Sequence, residues 1–165
     1  MYPIQDIAIY LINYTNAQQK PITNIQLNQL LYLIQAAFLT WNRKPCFTHH
    51  LHKGYTGPID ADIYSLYRIY GRDPIPKQAP RKILHFSKTT CRIEEINYNI
   101  NERLQPTEKI LIQNIITSHI DHLSSYMTDD LLQSLSIGSL ISDTDIWNTY
   151  KHQQNMFIHK PKVAR

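Results

Sequence analysis

Cysteine, glycine and long apolar runs are all scarce in this chain of 165 residues. Two cysteines, Cys46 and Cys91, are too few for a disulfide-stapled secreted scaffold. The most apolar run, residues 30–39, is broken by Gln35 and is about half the length a membrane span needs. The opening residues "MYPIQD" offer neither a basic nor an apolar leader region, so the chain is expected to be cytoplasmic. Internal repeats and low-complexity segments are likewise missing.

Motifs of catalysis are missing too. No serine sits in a G-x-S-x-G elbow, neither cysteine has a motif around it, and "GYTG" at 54–57 lacks the spacing of a phosphate-binding loop. On a helix, Asp60 and Asp62 diverge by about 200° and would not share a proton or a metal. They are expected to serve as capping and helix-dipole residues. The expectation is therefore a protein without enzymatic activity or a cofactor.

What remains is a helical pattern. Ile4, Ile7, Ala8, Leu11 and Ile12 predict a first helix ending near Asn16. Thr23 with Gln26 three residues on is a capping box, with Ile22 placed to staple onto Leu27. A central helix follows, its apolar face running from Leu27 to Trp41 and its end set by Pro45. Residues 46–57 predict a short strand or extended loop. Gly57-Pro58 then predicts the start of a short helix stopped by Gly71, with Ile59, Ile63, Leu66, Tyr67 and Tyr70 on its apolar face.

Pro74, Pro76 and Pro80 favour an extended connector with its positive charges in solvent. Beyond it, Ile96, Tyr98 and Ile100 alternate with asparagines and predict a strand, paired with the region around Ile83 to Ile93. Three more helices are expected: one capped by Thr107 after Pro106, a short one beginning at Thr128 to Asp130, and a last one over Asp143 to Tyr150. The sum is a mainly α, α+β fold: a single domain over 1–155 of about five to six helices with a small antiparallel β element. A basic, loose tail is expected over 156–165.

Net charge is +4, and it is unevenly spread. Between residues 68 and 92, Arg68, Arg72, Lys77, Arg81, Lys82, Lys88 and Arg92 face a single acid, Asp73. With Tyr64, Tyr67 and Tyr70 nearby, this composition suits either single-stranded nucleic acid or an acidic protein partner. Tyr67 and Tyr70 belong to the apolar face and are expected in the core, with Tyr64 and Arg68 outside. Cys46, His49, His50, His52 and Cys91 are metal-ligand types, and Cys46 and His49 stand at C-x-x-H spacing. No second ligand pair follows, so surface histidines and two buried thiols are expected, with a metal on Cys46, His49 and Cys91 as the alternative.

Two stretches together, "PITNIQLNQLLYLIQAAFL" at 21–39 and "TGPIDADIYSLYRIYGRDPI" at 56–75, resemble the Panacea antitoxin domain, a family that includes phage-associated, GepA-like and SocA-like proteins. Ile22, Thr23, Leu27, Leu30, Leu31 and Tyr32 match its first helix. Gly57, Pro58, Ile59, Tyr64, Tyr70, Gly71 and Ile75 match its glycine-proline turn and tyrosine-bearing helix. The match covers about residues 4–75. Three positions depart from the pattern: Gly54 stands at a common tryptophan, Thr56 at a common aromatic, and Ile146 at the proline before Trp147.

The resemblance implies an antitoxin that binds and neutralises a toxin encoded by an adjacent gene, many such toxins being inhibitors of translation. It also implies an alternative, an adaptor that delivers its toxin to a protease. The residues expected to meet the toxin are Tyr55, Gly57, Pro58, Asp60, Tyr64, Arg68, Arg72, Lys77 and Arg81. A small DNA- or RNA-binding regulator using the 68–92 segment is the alternative from another class.

Overall fold

Thr23 begins the element around which the rest is arranged. In the computed structural model, which describes residues 1–123 and 129–157, its hydroxyl accepts the Gln26 N–H at 3.3 Å while the Gln26 side chain accepts the Thr23 N–H at 2.9 Å. This capping box opens α2, Asn24–Asn42, which ends where Arg43 turns left-handed at φ 55. Fifteen of its 19 residues are buried, polar ones included. A helix buried on every side needs partners for its amides. Gln35 shows how they are supplied: its Nε2 donates to Phe47 O and Asp143 Oδ1, and its Oε1 accepts the Cys46 and Phe47 N–H groups. The residue that interrupts the apolar run thus ties the next loop and the last helix to the centre.

Around α2 pack α1 (Ile4–Ala17), α4 (Pro106–His119), α6 (Asp143–Tyr150) and the strand β2 (Gly57–Asp60), which in turn carries its partner strand β1 (Leu51–Gly54). Two short helices, α3 (Ala61–Leu66) and α5 (Asp130–Ser134), complete the helical set among the described residues. The mainly α, α+β class expected from the sequence is the one observed. No helix of the described residues is long and apolar enough to cross a membrane.

Several local expectations need correction. Gly57 and Pro58 do not start a helix; they open β2, which pairs antiparallel with β1. Proline is tolerated there because β2 is an edge strand of a three-stranded sheet with β1 at its centre, so one side of the strand needs no ladder partner. The helix starts at Ala61 and is capped by Asp60. Of its expected apolar face, Ile63 and Tyr67 are buried, whereas Leu66 is more than half exposed. Trp41 is also exposed, at the very end of α2. Gln105 rather than Thr107 is the cap of α4, because Pro106 takes the first helical position and Glu108 reaches back to the Gln105 N–H at 3.3 Å. Asp129 caps α5, and Thr128 lies outside the described residues.

Among the described residues, three elements had no counterpart in the sequence reading, one of them a 3-10 turn after the second hairpin strand. β5 (Leu140–Ile141) adds two residues to the far side of β1. A 3-10 turn, Gln154–Phe157, returns a buried Phe157 onto Tyr150, ring centroids 5.6 Å apart. Of the expected tail, residues 158–165 lie outside the described set. The second sheet is the expected hairpin, β3 (Arg81–Ser87) with β4 (Arg92–Tyr98), but it stops short of Ile100, which is buried in a 3-10 turn, Ile100–Glu102, instead of extending the strand. Ile96 and Tyr98 turn partly inward, but Leu84, Phe86 and Ile93 stand exposed on the opposite face.

Candidate binding face

The turn from β1 to β2 spans only Tyr55 and Thr56, and both glycines flanking it are required. Gly57 adopts φ 126, a region open to glycine and few others. Opposite it, a Cβ on Gly54 would lie 2.9 Å from the Gly57 carbonyl oxygen and 3.2 Å from Ile59 Cγ2. The tryptophan common at this position in Panacea domains would not fit this turn. With the backbone so closely paired, Tyr55 is thrust outward and is 89% exposed.

Buried amides of α2 hold this turn from behind. Gln29 Nε2 donates to Thr56 O at 3.1 Å, Asn28 Oδ1 accepts the Asp60 N–H at 2.8 Å, and Asn24 Nδ2 donates to Tyr64 O at 2.8 Å. Asn24, Asn28 and Gln29 fall within little more than one turn of a helix, so one edge of α2 grips three successive points of the chain. In front lies an apolar groove of about 500 Å³, bordered by Ile25, Tyr55, Ile59, Tyr64 and Ile137. Ile25 and Ile137 were not anticipated. Ile25 sits beside the capping box, and Ile137 arrives from a turn after α5 that only the fold brings here.

Next to the groove is a smaller, polar cleft of about 200 Å³, lined by Thr48, His49, His50, His52, Asp60 and Asp62. Asp60 is 1% exposed. One of its oxygens accepts the Ile63 N–H at 2.9 Å as the cap of α3, and the other lies 2.5 Å from His49 Nδ1. The expected divergence of Asp60 and Asp62 does not hold, because Asp60 is the cap and not a helical residue. Donor atoms of His49, Asp60 and Asp62 all lie within 4.8 Å of one another.

The expected site residues are therefore divided. Tyr55 and Tyr64 border the apolar groove, Asp60 the polar cleft, while Gly57 and Pro58 are buried and shape the turn from within. Arg68 is exposed in a 3-10 turn, Arg68–Tyr70, and Arg72 is exposed just after Gly71 at φ 57. Lys77 belongs to a separate cleft of about 540 Å³ beside Tyr10, Asn13 and Tyr98. Arg81 is engaged: its guanidinium forms two hydrogen bonds with the buried Asp6 carboxylate and lies over the Tyr98 ring. The Asp6 bonds also hold the Arg81 guanidinium more firmly protonated.

Tyr67 and Tyr70 stack with centroids 6.4 Å apart. Burial, followed by the proximity of Tyr70, pushes the Tyr67 hydroxyl up to about 12. The cysteines part company: Cys46 is buried, its thiol pushed up by desolvation, whereas Cys91 is exposed in the turn between β3 and β4 at φ 51. The expectation of two buried thiols fails at Cys91. Trp147, the residue placed near the family's terminal tryptophan, lies between Arg43 and Lys151, 5.6 Å and 4.9 Å from its ring centroid.

No protein-family model, curated protein or solved structure matches this chain.

Proposed function

We propose that this protein is an antitoxin that neutralises a toxin protein, encoded by a neighbouring gene, by covering it with the face built on the β1–β2 turn. The reading joins the sequence resemblance to one observation: a tight, glycine-dependent turn presents Tyr55 at the lip of an apolar groove. Exposed aromatic anchors beside a preformed hydrophobic pocket, rimmed by polar groups, are the anatomy of protein interfaces. Binding of this kind consumes no substrate, so the protein acts as a stoichiometric inhibitor in the cytoplasm and needs no catalytic residue. A toxin that arrests translation is the expected class.

The nucleic-acid reading draws less support. Arg81 is committed to Asp6, and Lys82 pairs with Glu95 at 2.9 Å, so two charges of the basic segment are already answered. Growth of cells expressing the adjacent gene alone, and then together with this protein, tests the proposal. Arrest alone and rescue together support it; arrest without rescue contradicts it. Rescue with loss of the toxin polypeptide assigns delivery to a protease instead of sequestration.

A further inference from the structure

We infer that the cleft between the segment before β1 and the start of α3 is a binding site for one divalent first-row metal ion, held by His49, Asp60 and Asp62. The inference is independent of the toxin reading. Three donors of the right types converge there from two separate parts of the chain, with their ligand atoms within 4.8 Å of one another.

Charge gives the second argument. Asp60 is a buried carboxylate and the exposed Asp62 adds a second negative charge in the same cleft, yet among the described residues no lysine or arginine lines it. Buried charge is tolerated when it is paired or coordinates a metal. The basic groups available are imidazoles: His49 against Asp60, with His50 and His52 along the wall. One imidazole and two carboxylates suit zinc, cobalt, nickel or manganese, whereas an all-oxygen set would suit magnesium or calcium.

The fold also sets the geometry. The N-cap bond to Ile63 fixes one Asp60 oxygen and leaves the other facing His49. Nδ1 and that oxygen now lie 2.5 Å apart. Metal bonds of about 2.0 to 2.2 Å to each, at an angle of about 90° to 110°, would require them to separate by roughly 0.3 to 1 Å. His49 is one-third exposed and can make that movement, while Asp60 stays anchored. His50, His52 or water would fill the remaining positions. Of the expected alternative set, His49 remains, and Cys46 and Cys91 are replaced by Asp60 and Asp62.

The test uses full-length protein without a histidine tag. Zn²⁺ is titrated by calorimetry and Co²⁺ by visible absorption, with wild type, His49→Gln, Asp62→Asn and Asp60→Asn. The last keeps an oxygen able to cap α3, so a loss of binding there is separable from unfolding, and thermal melts of the metal-free variants check this directly. The expected result is one ion per chain, with affinity lowered at least about tenfold by each substitution. Absence of saturable binding to the wild type would overturn the assignment. So would binding that survives both His49→Gln and Asp62→Asn, as scattered surface histidines would give.

Discussion

Arg81 Nε and Nη2 lie 3.0 Å and 2.8 Å from the two carboxylate oxygens of Asp6, a paired contact between residues 75 positions apart. Asp6 is 1% exposed and sits in the first turn of α1; Arg81 is the first residue of the β3–β4 hairpin. The pair is therefore the rivet that fixes the base of the hairpin to the helical body. Removing the arginine leaves a buried carboxylate without its cation. Arg81→Ala is expected to lower unfolding stability by roughly 2 to 3 kcal/mol, short of the full buried-pair penalty because the guanidinium is partly exposed. Lys82→Ala, breaking a surface pair, is expected to cost under about 0.5 kcal/mol. Urea denaturation of the two variants checks the contrast.

The grip of α2 on the candidate face is testable in the same way. Asn28→Ala deletes the acceptor of the buried Asp60 N–H, which is expected to cost about 1 to 3 kcal/mol. Hydrogen exchange should show faster opening at residues 56–64 than in α1. Gly54→Ala acts from the other side: its Cβ meets a backbone oxygen at 2.9 Å, so the turn must shift and the variant should melt lower than wild type. An unchanged melting temperature would mean that the turn is slack.

Thiol chemistry should separate the two cysteines cleanly. Cys46 is buried and its thiol is held protonated by desolvation, while Cys91 is exposed. An aromatic disulfide reagent is expected to label one thiol rapidly in native protein and two after denaturation. Cys91→Ser should abolish the fast phase and leave stability unaltered.

Alkaline pH should destabilise the protein. The hydroxyls of Tyr2 and Tyr67 are each pushed up to about 12, both chiefly by burial, and those of Tyr10 and Tyr32 are raised as well. A group whose folded pKa exceeds its unfolded value contributes stability that is complete below the unfolded value, about 10 for tyrosine. That contribution is lost as the pH rises from there to about 12, because the unfolded chain gives up its protons first. Tyrosinate absorbance should therefore appear in two steps, exposed residues first and the buried ones together with loss of helical circular dichroism.

How much of this was legible in the sequence varies with the range of the interaction. The Thr23–Gln26 box and the bounds of α6 at Asp143 and Tyr150 depend on neighbours along the chain, and both were readable. Gly57-Pro58 was misread because a proline after a glycine suits a helix start and an edge strand equally; only the pairing with β1 decides. Asn24, Asn28 and Gln29 look like a solvated edge in a helical pattern, yet they are buried because the strand turn lies on them. The capping role expected of Asp60 is the one observed, but the polar cleft was hidden because a helix starting at Gly57-Pro58 would place Asp60 inside it and turn it away from Asp62. Arg81 could not be told from its basic neighbours, since its partner is 75 residues away.

The account stands most directly on whether the β1–β2 face carries the toxin. The decisive measurement is growth rescue, against the toxin of the adjacent gene, by wild type, by Tyr55→Ala/Tyr64→Ala, and by Lys88→Glu at an exposed residue outside the named contact set, with equal levels of folded protein confirmed. Rescue by wild type and Lys88→Glu, and its loss in the double tyrosine variant, is the predicted result. Undiminished rescue by the double tyrosine variant would contradict the assignment of the face.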